Sequence, residues 1–260
     1  MPITDKLILN AFKRPDDIAL AETVMEDAPE AGKGLRKWRG SEQVVRGRAG
    51  RTVTWRIFNE HANQFAHMLL EAGVSRGAKV AVLMANSLDL PPIYMGVLKS
   101  GAILVPLHAS CARDDIPACL NLAGAEALVF GPEFSEAVDS MADMLPEVSF
   151  LVFVGDNCPE YARSHDASIG HFASEEPAIP IDENDVAVFS FEARPQHGLK
   201  AVLYNHGSIS RASMANGCSA AAVESVGSPQ GTRLFREESS MCWMSGLMTG
   251  LPSEIAYSRT

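Results

Sequence analysis

Val80-Ala81-Val82-Leu83-Met84 and Ile103-Leu104-Val105, with the segment Asn86 to Gly101 between them, form the stretch that decides the fold. Each apolar run is continuous rather than alternating, as expected of a strand covered on both faces in a parallel sheet. The segment between them predicts a helix, with Asn86 or Ser87 as its cap, Pro91 in its first turns and an end near Gly101. Pro106 is expected to terminate the second strand. Strand, helix, strand with short connections is the unit from which an open parallel α/β sheet is built.

Outward from this unit the pattern repeats. A helix over Asp114–Leu122 leads to strand Ala127–Phe130, and a helix over Glu133–Met144 leads to strand Phe150–Val154. On the N-terminal side, Thr54 is placed to cap a helix carrying Phe58, Ala62, Phe65, Ala66 and Leu69 on one stripe and ending at Gly73. Before it, Gln43–Arg46 and Arg51–Thr54 flank Gly47–Gly50 as a hairpin, Ile18–Thr23 suits a short strand, and Ile3–Phe12 is helical. Beyond Val154 the chain turns irregular and acidic from Gly155 to Pro180. Val186–Ser190 and Ala201–Tyr204 then read as strands on either side of a loop, and Ser208 can open a further helix.

The expected fold class is therefore α/β, with open, mostly parallel sheets flanked by helices. Its expected organisation is N-terminal helix and hairpin elements in 1–53, an α/β unit in 54–180, a loop region in 181–225, and a tail over 226–260 with no assignable pattern.

Bulk properties narrow the function. The chain has 260 residues, 47% of them hydrophobic, enough for a sizeable core. Its formal net charge of −10 is unevenly spread: seven Lys/Arg against one acid in Lys33–Arg51, and thirteen acids against Arg163 in Gly131–Asp185. A nucleic-acid binder would present a dominating basic face, so that class is disfavoured. No apolar stretch reaches the roughly 20 residues that span a bilayer, and no secretory pattern opens the chain, so the expectation is a soluble cytoplasmic protein. The five cysteines form no CxxC pair, and the seven histidines show no metal-ligand spacing, so no metal site is expected and most of the histidines read as surface or loop residues. No GxSxG elbow, HExxH pair or intact Walker loop is present, and no catalytic residue is assigned.

Three segments together carry a family resemblance. Thr54-Trp55 followed by Asn59-Glu60-His61-Ala62-Asn63-Gln64-Phe65-Ala66 is similar to T-x-x-E-L-x-x-x-A-N-x-x-A. Gly73-Val74-Ser75-Arg76-Gly77-Ala78-Lys79-Val80-Ala81 is similar to G-V-x-x-G-D-x-V-A. Gly96-Val97-Leu98-Lys99-Ser100-Gly101-Ala102-Ile103-Leu104-Val105-Pro106-Leu107 is similar to G-x-L-K-x-G-A-x-x-V-P-L. In this order and at these spacings they resemble the adenylate-forming (AMP-binding) superfamily, in its acyl-CoA synthetase branch, from about Ile3 to about Ser213. Each of these residues also has a purely structural role to play.

The resemblance implies the N-terminal subdomains of such an enzyme, truncated. It also implies the family reaction: ATP with Mg²⁺ and a small carboxylic acid give an acyl-adenylate, from which CoA thiol displaces AMP.

The family's phosphate loop, close to S-S-G-T-T-G-x-P-K-G, corresponds to Ser190-Phe191-Glu192-Ala193-Arg194-Pro195-Gln196-His197-Gly198-Leu199-Lys200, which leads into Val202…His206, like V-x-x-x-H. Ser190, Gly198 and Lys200 are the matched residues. Glu192 brings a carboxylate where phosphate oxygens belong, and Pro195 removes a backbone donor. No counterpart of the family's Thr-Glu motif, ribose-binding Asp or mobile-domain Lys is found, and Ser240–Gly246 does not match the acyl-pocket motif. The expected function is thus an acid–CoA-ligase-like chain that is inactive by itself. The alternative is a non-catalytic partner of a longer ligase or other protein, docking through the apolar segment Met241–Leu251.

Overall fold

The computed structural model describes residues 1–25, 51–107, 115–141, 144–145, 147–194, 198–214 and 253–258. The expected strand Gln43–Arg46 and the apolar segment Met241–Leu251 lie outside these residues.

Two sheets organise the chain. Helix α1 (Ile3–Lys13) precedes β1 (Ile18–Met25). The short β2 (Thr52–Thr54) pairs antiparallel with β1 and runs directly into α2 (Trp55–Glu71). The larger sheet collects β3 (Lys79–Leu83), β4 (Ile103–Leu107), β5 (Ala125–Phe130), β6 (Phe150–Phe153), β7 (Arg163–Ser164), β8 (Val186–Arg194) and β9 (Gly198–Asn205). Its order is β7-β6-β5-β3-β4-β8-β9, and every neighbouring pair is parallel except β8 and β9. The connecting helices are α3 (Leu90–Lys99) between β3 and β4, α4 (Ile116–Ala123) between β4 and β5, α5 (Ser135–Met141) after β5, and the one-turn α6 (His165–Ser168) after β7. A helix over residues 206–214, α7, follows β9.

The continuous apolar strands are covered on both faces, as their sequences demand. Val80, Val82, Leu104, Ala127, Val129 and Val188 face a core shared with α1, α2 and α3. The alternate residues Ala81, Leu83, Val105, Leu128 and Phe130 face a second core with α4 and α5. Phe58 and Phe65 of α2 are 1% and 0% exposed, each contributing about 1.5–3 kcal/mol of burial. Thr54 caps α2 as expected, accepting the Ile57 N–H at 3.4 Å. Gly73 and Gly101 follow α2 and α3 at φ +84° and +78°, where a side chain would strain the backbone.

Gly96 has a different reason to be glycine. A Cβ there would lie 2.7 Å from the Ala62 carbonyl oxygen and 2.8 Å from Phe65 Cβ, so its absence lets α3 lie directly on α2.

Several expectations are corrected. The cap of α3 is Asp89, not Asn86 or Ser87. Ser87 Oγ accepts the Asp89 N–H at 3.2 Å and its carbonyl accepts from Leu90, so it closes the turn before the helix. Pro106 lies inside β4 rather than ending it. The β4–β8 register is recorded at Leu104↔Val188, so the missing N–H falls beyond that pairing. The segment Gly155–Pro180 is not uniformly irregular. It holds β7, α6 and a 3₁₀ turn at Ile169–His171, and Ser164 Oγ caps α6 by accepting the Ala167 N–H at 3.2 Å. Helix α7 begins before Ser208, because Asn205 is its cap: Asn205 Oδ1 accepts the Ser208 N–H at 2.7 Å. Within 226–260, Ser253–Ser258 forms β10, which pairs parallel with β1 from Leu20↔Ser253 to Met25↔Ser258.

Candidate functional site

The residues expected to form a loop form a β-hairpin instead. Strands β8 and β9 pair antiparallel through Phe189↔Leu203, Ser190↔Val202, Phe191↔Ala201, Glu192↔Lys200, Ala193↔Leu199 and Arg194↔Gly198. The chain continues as strand through most of the segment because the inserted residues are strand-compatible: Phe191 and Ala193 extend the alternation begun at Phe189. Phe189 and Phe191 stand edge to face at 5.3 Å and pack on the second core, anchoring one face of the hairpin. By the same alternation Ser190, Gly198 and Lys200 share the opposite face. Lys200 is the diagonal neighbour of Ser190 in that ladder, about 7–8 Å away. The register therefore spreads the three sequence-matched residues along one face, Lys200 one same-face pair beyond Ser190 and Gly198 a further pair along, opposite Arg194, with Glu192 as the register partner of Lys200.

The backbone of the described residues of this hairpin does not fit a triphosphate. A phosphate cradle needs successive N–H groups converging on one point. In extended chain, successive N–H groups point to opposite edges of the strand, so neither Ser190–Arg194 nor Gly198–Lys200 can form such a cradle. Pro195 carries no backbone N–H to donate, and Glu192 is the register partner of Lys200. Among the described residues, no cluster of three or more His, Cys, Asp or Glu is placed to hold a metal ion.

At the base of the hairpin stands His206, 2% exposed, with its backbone N–H donating to the Asp185 carbonyl at 3.1 Å. Its Nδ1 has no hydrogen-bond partner among the described residues. Burial pushes the imidazole down to about 4, partly opposed by the nearby Asp185 carboxylate. His206 is therefore a neutral core residue at pH 7, and His165, at 8% exposure, is also buried. The turn at 182–185 lies against His206, and the α2 ring of Phe65 lies against His165.

Open α/β sheets bind ligands where neighbouring strands send their connections in opposite directions, here between β3 and β5. The Gly131 N–H donates to the Leu83 carbonyl at 3.1 Å, and the Glu133 carboxylate accepts the Ala85 N–H.

A second polar constellation lies on the other side of the first core. Lys99, at the end of α3, is 2% exposed, and its ammonium donates to Asn59 Oδ1 at 2.8 Å, Asn63 Oδ1 at 2.6 Å and Glu176 Oε2 at 2.7 Å. All three of its protons are used. Asn59 Nδ2 donates to Glu176 Oε1 at 2.6 Å, and Asn63 Nδ2 donates to the Ser174 carbonyl at 2.8 Å and to Glu176 Oε1 at 3.1 Å. Burial pushes the Lys99 ammonium down to about 8 against the pull of its Glu176 hydrogen bond, so it is charged at pH 7. Burial would raise the Glu176 carboxyl, but the hydrogen bonds from Lys99, Asn59 and Asn63 bring it below the usual carboxylate range. Sequence reading took these residues as scaffold. The available signal was a lysine in a helix otherwise rich in apolar residues, and two asparagines at i, i+4 on one face of α2.

Comparison with known proteins follows this geometry closely. The pattern of the family described as AMP-binding enzyme matches residues 33–191, and so stops inside the hairpin. The long-chain-fatty-acid–CoA ligase FadD13 of Mycobacterium tuberculosis is 26% identical over 60% of this chain and 30% of its own length. The 3-hydroxybenzoate–CoA/4-hydroxybenzoate–CoA ligase of Thauera aromatica is 27% identical over 65% of this chain and 32% of its own. The chain thus spans about a third of the length of these curated relatives. The crystal structure of the N-terminal domain of FACL13 from Mycobacterium tuberculosis superposes with a TM-score of 0.71 at 19% identity, covering 98% of this chain and 57% of that one. The mostly parallel α/β architecture is that of the N-terminal domains of acyl-CoA synthetases. No helix among the described residues is long and apolar enough to cross a membrane.

Proposed function

Because the chain belongs to the AMP-binding enzyme family, we propose that it is an acid–CoA-ligase-like protein whose own residues do not carry out adenylation. The reaction class it descends from joins a carboxylic acid, aliphatic or aromatic as the relatives' names indicate, to CoA at the expense of ATP. The observation that carries the reading is the ladder Ser190↔Val202 to Arg194↔Gly198, which commits to strand the backbone that would otherwise cradle phosphates. Preorganised donors aimed at developing charge are worth about 3–4 kcal/mol each in rate, so losing several of them removes most of the catalytic advantage.

A second reading, that of a binding partner for a longer ligase, draws on β9. This strand closes one edge of the large sheet and carries Leu203 at 57% exposure.

Pyrophosphate release with a panel of fatty and aromatic acids tests the proposal, run on the purified chain and again with a homologous C-terminal ligase fragment added. No release from the chain alone is the expected result, and turnover by the chain alone would overturn it. Turnover only with the fragment would favour a split enzyme.

A further inference from the structure

Residues 172–180 run in irregular conformation from the 3₁₀ turn at Ile169–His171 toward β8. They cross α2 as a strap, and side chains of α2 hold it along its length. Gln64 Nε2 donates to the Phe172 carbonyl at 3.4 Å, Asn63 Nδ2 to the Ser174 carbonyl at 2.8 Å, and His67 Nε2 bonds the Glu175 carbonyl at 3.1 Å. Of these contacts, the one at Glu176 is different in kind. It reaches through to Lys99, which α3 buries at 2% exposure while Glu176 itself remains 39% exposed.

We propose that Lys99 is a positioning residue whose lock with Asn59, Asn63 and Glu176 fastens the strap across α2 as a separately releasable element, and so sets where the chain enters β8. Lys99 and the two asparagines belong to the packed α2–α3 pair, whereas the strap, which carries Glu175 and Glu176, contributes the Glu176 carboxylate to the lock. With the strap in place, every proton of the ammonium has an acceptor. With the strap lifted, Lys99 keeps two amide oxygens and loses its counter-charge inside the core, which strongly disfavours lifting. The remaining bonds are amide or imidazole to carbonyl and are individually weaker. The negative groups around the lock are Glu176 from the strap and Asp5 from α1, whose charge is felt at Lys99 but which makes no hydrogen bond to it. The lock does not depend on whether the chain binds a nucleotide.

Glu176→Gln is the informative change. Its two oxygens accept from Lys99 on one side and from Asn59 and Asn63 on the other, so an amide in either orientation points an NH₂ group at a donor. Hydrogen exchange followed by mass spectrometry on the full chain compares strap peptides over 172–180 with β3 and β5 peptides. In Glu176→Gln and in Lys99→Met, strap amides should exchange about tenfold faster or more, while β3 and β5 amides keep their rates. Unchanged strap exchange, or an increase shared equally by β3 and β5, would overturn the proposal. Should Lys99→Met fail to fold, Glu176→Gln decides on the same two outcomes, since its side chain lies at the surface.

Discussion

Glu192 and Lys200 stand directly opposite each other in the antiparallel ladder between β8 and β9. Lys200 is the residue that the sequence matches to the family's phosphate-binding lysine. Its register partner is a carboxylate, the one side-chain type that both offsets its charge and repels a phosphate.

Relieving that geometry should recover some affinity. The double change Glu192→Gly, Pro195→Gly removes the facing carboxylate, restores an N–H and frees the backbone to leave the ladder. Mg-ATP binding should strengthen measurably over the parent chain in equilibrium titration. If it does not, segments beyond the hairpin govern nucleotide binding.

The α2–α3 contact offers a stability test. Gly96→Ala would drive a methyl to within 2.7 Å of the Ala62 carbonyl and 2.8 Å of Phe65 Cβ, both on a packed helix. Overpacking of this kind costs about 1–3 kcal/mol despite alanine's better helix propensity. Urea denaturation should show the midpoint falling. An unchanged midpoint would mean that α3 does not lie on α2 as described.

The α2 cap is a smaller effect in the same direction. Thr54→Ala removes the acceptor for the Ile57 N–H, a bond that at 3.4 Å is long. The loss should sit at the lower end of the usual range, about 0.5–1 kcal/mol. Thr54→Ser should recover most of it in the same denaturation experiment.

Stability should also respond to pH through His206. Its folded value is about 4 against 6.5 for the free side chain. Between these values the unfolded chain binds the extra proton, so stability is complete above about pH 6.5 and is lost as pH falls toward 4. The full loss corresponds to about 3 kcal/mol. Comparing denaturation curves at pH 7.5 and pH 5 should show His206→Leu with a markedly flatter dependence than the parent. Parallel curves would assign the pH dependence to other groups.

Much of this fold was legible because it rests on period and continuity. Unbroken runs such as Val80–Met84 belong to strands covered on both faces, and the stripe from Phe58 to Leu69 belongs to α2. Structure set by cross-chain partners was not legible. Pro106 reads locally as a terminator, yet its place inside β4 depends on where β8 stops pairing. Lys99 is one letter in a scaffold motif, and its role depends on Glu176, far along the chain. In the candidate site, Ser190, Gly198 and Lys200 are matched by position in the sequence, and the β8–β9 register lays them along one face of the hairpin. That the segment between them continues as strand is not legible locally, because Glu192 reads against a phosphate-loop pattern as a departure from it, whereas its strand partner Lys200 lies across the turn.

The central claim is that this hairpin does not hold the phosphates of ATP. Calorimetric titration of the purified chain with Mg-ATP tests it most directly. The account expects weak binding or none at sub-millimolar nucleotide, and a micromolar dissociation constant for the unmodified chain would contradict it.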